Sequence, residues 1–156
     1  MSKKKILLPI LATTTISILP IVAISCENGN SGTSNKPKVQ LLTSSQIQEI
    51  VDKFEFKLTK KGSDLETENK LNELWEKLVR NKDNTKSNSQ IIINWNSEFK
   101  DNFIFNFHKL NGFGSSHKYT FKLIWDNQTP AISYQILCVD RNNELEYQGM
   151  VKLEIQ

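Results

Sequence analysis

Near Gln90 the spacing of apolar residues changes from the three- and four-residue steps of a helix to the strict alternation of a strand. That change constrains the chain to helices first and sheet second. Before it, Ser45 and Gln48 have capping-box spacing, and Ile47, Ile50, Val51, Phe54 and Leu58 share one helical face. Lys60 and Lys61 suit the negative end of that helix, and Gly62 suits a left-handed cap. Ser63 and Glu66 repeat the capping spacing, and Leu65, Leu71, Leu74, Trp75, Leu78 and Val79 lay a second stripe that ends near Arg80. Residues 81–90 then break the pattern.

Five strands are expected beyond that point. Ile91, Ile93 and Trp95 alternate with Ile92 and Asn94. Phe103, Phe105 and Phe107 do so with Ile104, Asn106 and His108, and Tyr119, Phe121, Leu123 and Trp125 with Thr120, Lys122 and Ile124. A fourth strand spans about 131–139. In the fifth, 145–155, Leu145, Tyr147, Val151, Leu153 and Ile155 oppose Glu144, Glu146, Lys152 and Glu154. The intervening segments 111–116, 126–130 and 140–143 are rich in turn residues, so consecutive antiparallel pairing is the simplest topology. The expected fold is α+β: two N-terminal amphipathic helices packed on a five-stranded antiparallel meander, in a single domain over 44–156. Ile92, Ile104, Ile124, Leu137, Val139 and Met150 fall on the second sheet face, as a binding patch or as scattered residues. Phe113, between Gly112 and Gly114, sits at a loop tip and is a candidate partner contact.

The first 25 residues have a different character. Lys3, Lys4 and Lys5 precede Ile6–Ser25, which carries no charge, the order of an export signal. This run is about as long as the roughly 20 residues of a membrane span. Pro9 and Pro20 interrupt it and Thr13, Thr14, Thr15 and Ser17 dilute it, so a removable signal is the better reading. From Glu27 to about Thr43 the chain is mainly Asn, Gly, Ser, Thr and Lys, a composition that reads as a flexible tether over 26–43 with a reach of roughly 20 to 25 Å.

Ala23-Ile24-Ser25-Cys26 resembles the lipobox that ends the signal peptide of bacterial lipoprotein precursors, with Ala23 where the commonest pattern has Leu. The resemblance implies a diacylglyceryl group on the Cys26 sulfur, cleavage between Ser25 and Cys26, and an acyl anchor in the membrane. The domain would then stand on the extracellular face of the cell membrane. Two acyl chains, at about 0.8 kcal/mol per buried methylene, suffice for stable anchoring. Abundant Lys, Asn and Ile, with only Arg80 and Arg141 as arginines, is similar to the surface lipoproteins of wall-less mollicutes. The resemblance covers about a sixth of the chain and implies nothing about the domain that follows.

Removing 25 residues from 156 leaves about 131, enough for one modest core. Without the three leading lysines, 17 basic residues face 17 acidic ones. The mature part is neutral, so net charge gives no reason to expect nucleic acid as a partner. Cys138 is the other cysteine. It alternates with Ile132, Tyr134 and Ile136 and reads as a buried thiol, with no disulfide to make once Cys26 is alkylated.

No catalytic residue, cofactor site or metal site stands out. His108 and His117 are the only histidines, no pair has helical metal-ligand spacing, and both read as surface residues without an evident partner. No nucleophile elbow or phosphate loop is present. Glu66, Glu68, Glu73 and Glu76 interleaved with Lys70 and Lys77 read as a solvated helix face. The expected function is a non-enzymatic, membrane-anchored binding module with a protein partner. The alternatives are a prophage-encoded lipoprotein that excludes other phages and a small surface hydrolase or nuclease using His108 or His117.

Overall fold

Asn127 and Gln128 both adopt left-handed backbone, with φ of 48° and 67°, and so form the two-residue turn whose twist matches the strands it joins. This turn sets the register of the longest element pair. The structure, a computed structural model, describes residues 38–67 and 69–154. Ser25, Cys26 and the expected signal peptide lie outside those residues. β3 (His117–Asp126) and β4 (Thr129–Cys138) pair antiparallel along their whole length, and β5 (Glu144–Lys152) pairs with the other edge of β4. A glycine carries left-handed backbone without the steric penalty of a side chain. Gln128→Gly is therefore expected to raise stability by about 0.5 kcal/mol, relief of strain exceeding the added freedom of the unfolded chain. A higher urea midpoint at unchanged slope checks it.

The α+β class holds, but the single five-stranded meander does not. The described strands form a two-stranded sheet, β1 (Glu55–Leu58) with β2 (Phe103–Asn106), and the three-stranded sheet β3-β4-β5. β1 lies where the first helix was expected to continue. Phe54, Phe56 and Leu58 also fit alternation, and pairing with β2 decides between the two periods. The first helix, α1, is thus only Ser44–Val51, and its capping box is made by Thr43 and Gln46 rather than Ser45 and Gln48. One parallel bridge, Lys57 to Glu154, ties β1 to the chain just beyond β5, with the Glu154 N–H donating to the Phe56 carbonyl at 2.8 Å.

The expected second helix is two. α2 (Lys60–Thr67) and α3 (Leu71–Val79) are separated by Asn69, whose left-handed backbone breaks the axis. Gly62 lies inside α2, not in a cap. Its place is explained by the Asn102 carbonyl of α5 (Ser97–Asn102), which approaches so closely that a Cβ would sit 2.1 Å from it. α3 keeps the expected stripe, burying Leu71, Trp75 and Leu78.

The expected strand at 91–95 is a helix, α4 (Ser89–Trp95). Three consecutive isoleucines satisfy either period. Ser89, Ile92 and Ile93 are buried at helical spacing, and Asn96 then accepts from the Phe99 N–H at 2.9 Å to cap α5. Ile92 therefore leaves the second sheet face assigned to it, and Ile104 lies in the other sheet, so the six residues form no common patch.

The core is aromatic, as the alternation implied. Phe56, Trp75, Phe99 and Phe103 form one group of ring contacts, and Phe54, Phe105, Phe107, Tyr119, Phe121 and Tyr134 another, joined edge to face through Phe56 and Phe105. Each fully buried aromatic contributes on the order of 2 kcal/mol from surface removed from water. Two polar contacts orient the layers. The Trp75 indole donates to the Ile124 carbonyl at 3.0 Å, and the Trp125 indole donates to Glu76 at 2.7 Å. Among the described residues no helix is long and apolar enough to cross a membrane.

Candidate functional site

The β3–β4 register places His117 directly opposite Cys138, at the end of the pair remote from the turn. Both side chains point to the apolar face, since His117 continues the alternation of Tyr119, Phe121 and Leu123, and Cys138 that of Ile132, Tyr134 and Ile136. Glu146 reaches the same point by another route. Tyr147 pairs with Ile136 but Leu145 pairs with Leu137, so Glu146 is the extra residue of a β-bulge. A bulge re-aims a side chain. Here it turns Glu146 inward and leaves Leu145 47% exposed, reversing the two faces expected from alternation.

The three side chains form a covered polar cluster. His117 has no exposed side-chain surface, Glu146 keeps 5%, and Cys138 is fully buried. His117 was expected at the surface without a partner; instead its Nε2–H donates to Glu146 Oε1 at 3.1 Å. The other carboxylate oxygen, Oε2, accepts the backbone N–H of Leu42 at 2.8 Å. One ligand atom from each of His117, Cys138 and Glu146 lies within 4.8 Å of the others. His117 Nδ1 is buried without a hydrogen-bond partner. Such an atom is unusual enough in a folded protein to need a reason.

The thiol is not arranged as a nucleophile. Burial pushes the Cys138 pKa up; a hydrogen bond from the Arg141 backbone opposes it, while the neighbouring Glu146 carboxylate, accepting the S–H and repelling a thiolate, adds to the rise. Glu146 is the shared partner of both His117 and Cys138. A nucleophilic triad needs the histidine between thiol and acid, and the acid occupies that place here. The expectation that Cys138 is a buried, unreactive thiol is consistent with this.

A strap covers the cluster. Gln40 donates its N–H to Ser115 Oγ at 2.6 Å, Leu42 is buried, and a Cβ on Gly114 would come within 2.8 Å of the Gln40 side chain. The end of the expected tether over 26–43 is thus part of the fold, held by one apolar side chain and two backbone contacts at Gln40 and Leu42.

Phe113 is not a surface contact. It is buried at 8% exposure, with its ring 5.4 Å from that of His108, and positive φ at Gly112 and Gly114 (99° and 87°) lets the loop fold it inward. His108 lies apart from His117; its Nε2 is 3.7 Å from Glu49.

The side chain that does project is Trp95, 80% exposed at the end of α4. Ile91, one turn earlier, is 46% exposed. Their exposure is fixed by the opposite face of α4, where Ser89, Ile92 and Ile93 are anchored in the core. Reading 91–95 as a strand placed Trp95 in the sheet, and only the helical period puts it beside Ile91. A scan against protein-family models, a search of curated proteins and a search of solved structures each return no match to this chain.

Proposed function

We propose that the chain is a lipid-anchored exported protein whose folded domain serves as a non-enzymatic interaction module for a protein partner. The observation that carries the binding half is Trp95, held 80% exposed on a short helix whose other face is buried. A rigidly presented Trp loses little conformational freedom on binding and covers a large area, which is why Trp dominates interface hot spots. Ile91 extends the same apolar surface. The anchoring half rests on Lys3–Lys5, the uncharged run 6–25 and Ala23-Ile24-Ser25-Cys26.

Each half has its own expected result. In producing cells fed a clickable fatty acid, the wild-type chain takes up label and Cys26→Ala does not; an unlabelled chain that retains residues 1–25 overturns the anchor. Cross-linking on intact cells captures a protein with wild type and loses it with Trp95→Ala. That substitution is expected to leave stability within about 0.5 kcal/mol, as for other surface positions. Capture unaffected by Trp95→Ala overturns the assignment of this face.

A further inference from the structure

We propose that His117, Cys138 and Glu146 form a Zn²⁺ site beneath the strap of residues 40–42. The donor set is imidazole, thiolate and carboxylate, the three side-chain classes that bind zinc. Their ligand atoms already converge, all within 4.8 Å of one another. The 3.1 Å between His117 Nε2 and Glu146 Oε1 is close to the spacing of two ligands about 2.0 to 2.2 Å from one tetrahedral ion. Small side-chain movement brings all three within range.

Three features separate this from a chance cluster. The His117 and Glu146 side chains are at least nine-tenths buried, so these donors are withheld from bulk water. The imidazole is free to change tautomer: no partner holds Nδ1, so the ring proton can move there and release the Nε2 lone pair that faces Glu146. Glu146 is also held from behind, since Leu42 N–H binds Oε2 at 2.8 Å and leaves Oε1 directed at the other two donors. That contact is the outer support that fixes a metal-bound carboxylate.

The arrangement selects among metals. A thiolate and an imidazole disfavour Mg²⁺ and Ca²⁺, which take oxygen ligands, and favour Zn²⁺ or its spectroscopic substitute Co²⁺. Cation binding takes the thiolate form, so the thiol proton leaves Cys138 for solvent as the metal–sulfur bond forms. Three protein ligands leave a fourth position for water. Because Glu146 binds both ion and Leu42, occupancy holds the strap down.

The full chain is purified in detergent and titrated with Zn²⁺ and, separately, with Co²⁺. One Zn²⁺ per chain by elemental analysis and a sulfur-to-cobalt charge-transfer band are expected. Cys138→Ser and His117→Gln should lose the band, whereas Cys26→Ser should keep it. Wild type also provides a test that needs no variant: Zn²⁺ raises its Tm and Mg²⁺ does not. The proposal is overturned if folded wild type binds no Zn²⁺ and shows no Tm shift, if Cys138→Ser keeps the band, or if the band follows Cys26.

Discussion

Asn84→Ala is expected to lower the free energy of unfolding by about 3 to 5 kcal/mol, a large share of what holds a domain of this size together. The Asn84 amide acts as a piece of strand. Its Nδ2 donates to the Leu123 carbonyl at 2.9 Å and its Oδ1 accepts the Leu123 N–H at 2.9 Å, so the side chain pairs with the free edge of β3 as a neighbouring backbone would. The same amide donates to the Val79 carbonyl at 2.8 Å and accepts from Ser89 Oγ at 3.1 Å. Asn84 is 8% exposed, and Leu123 and Ser89 are fully buried. Alanine strands both backbone groups of Leu123 away from water, each at about 1 to 3 kcal/mol. Asn84→Asp is no remedy. It keeps an acceptor for Leu123 N–H but turns an oxygen toward two carbonyls. Urea unfolding checks both, with the midpoint falling while the slope is unchanged. A loss under about 1 kcal/mol for Asn84→Ala means that the edge is satisfied by other means.

Gly62→Ala sets two rules against each other. In an exposed helix the change favours folding by about 1 kcal/mol, because glycine is the more flexible residue. At position 62 the added Cβ would sit 2.1 Å from the Asn102 carbonyl oxygen and 3.0 Å from Leu58 Cδ2. Backbone cannot swing aside as a side-chain end can. That carbonyl also accepts the Thr59 N–H at 3.0 Å, Thr59 Oγ1 donates to the Asp101 carbonyl at 2.6 Å, and Lys61 pairs with Asp101 at 2.8 Å. Separating α2 from α5 strains these links together. Overpacking costs typically 1 to 3 kcal/mol and sometimes more. A net loss of about 2 to 3 kcal/mol is therefore expected, read as a fall in urea midpoint. A gain in stability means that α2 shifts freely.

The residues that agreed with the sequence were those for which one period and burial pointed the same way. Leu71, Trp75 and Leu78 share a helical stripe, and Phe121, Leu123, Ile132, Tyr134 and Ile136 alternate into the core; both patterns persist in the fold. Ambiguity arose where one run fits two periods. Ile91-Ile92-Ile93 became helix and Phe54-Glu55-Phe56 became the entry to a strand, and in both cases distant partners made the choice. The division into two sheets followed from these two exchanges. His117 was expected at the surface, although alternation carried back from Tyr119 puts it inward and a two-residue turn at Asn127-Gln128 sets it opposite Cys138, so the signal for that half of the polar cluster was present and missed. Glu146 carried no such signal. A one-residue bulge has no compositional mark in Glu144-Leu145-Glu146-Tyr147, whose alternation is regular on the page. Phe113 was misplaced because glycines on both sides were read as exposure, whereas their positive φ is what turns the ring inward.

The single bridge between Lys57 and Glu154 bears on when this chain can fold. The carbonyl of Phe56 emerges from a ribosome long before the amide of Glu154 that will bind it. Until then the β1–β2 pair lacks its neighbour, and β4, the centre of the larger sheet, lacks β5. Folding that needs contacts so distant along the chain is slow to commit. β1 and β2 therefore wait for a stretch of chain about a hundred residues downstream of β1 before their sheet gains this third contact, so the smaller sheet closes late relative to its own synthesis.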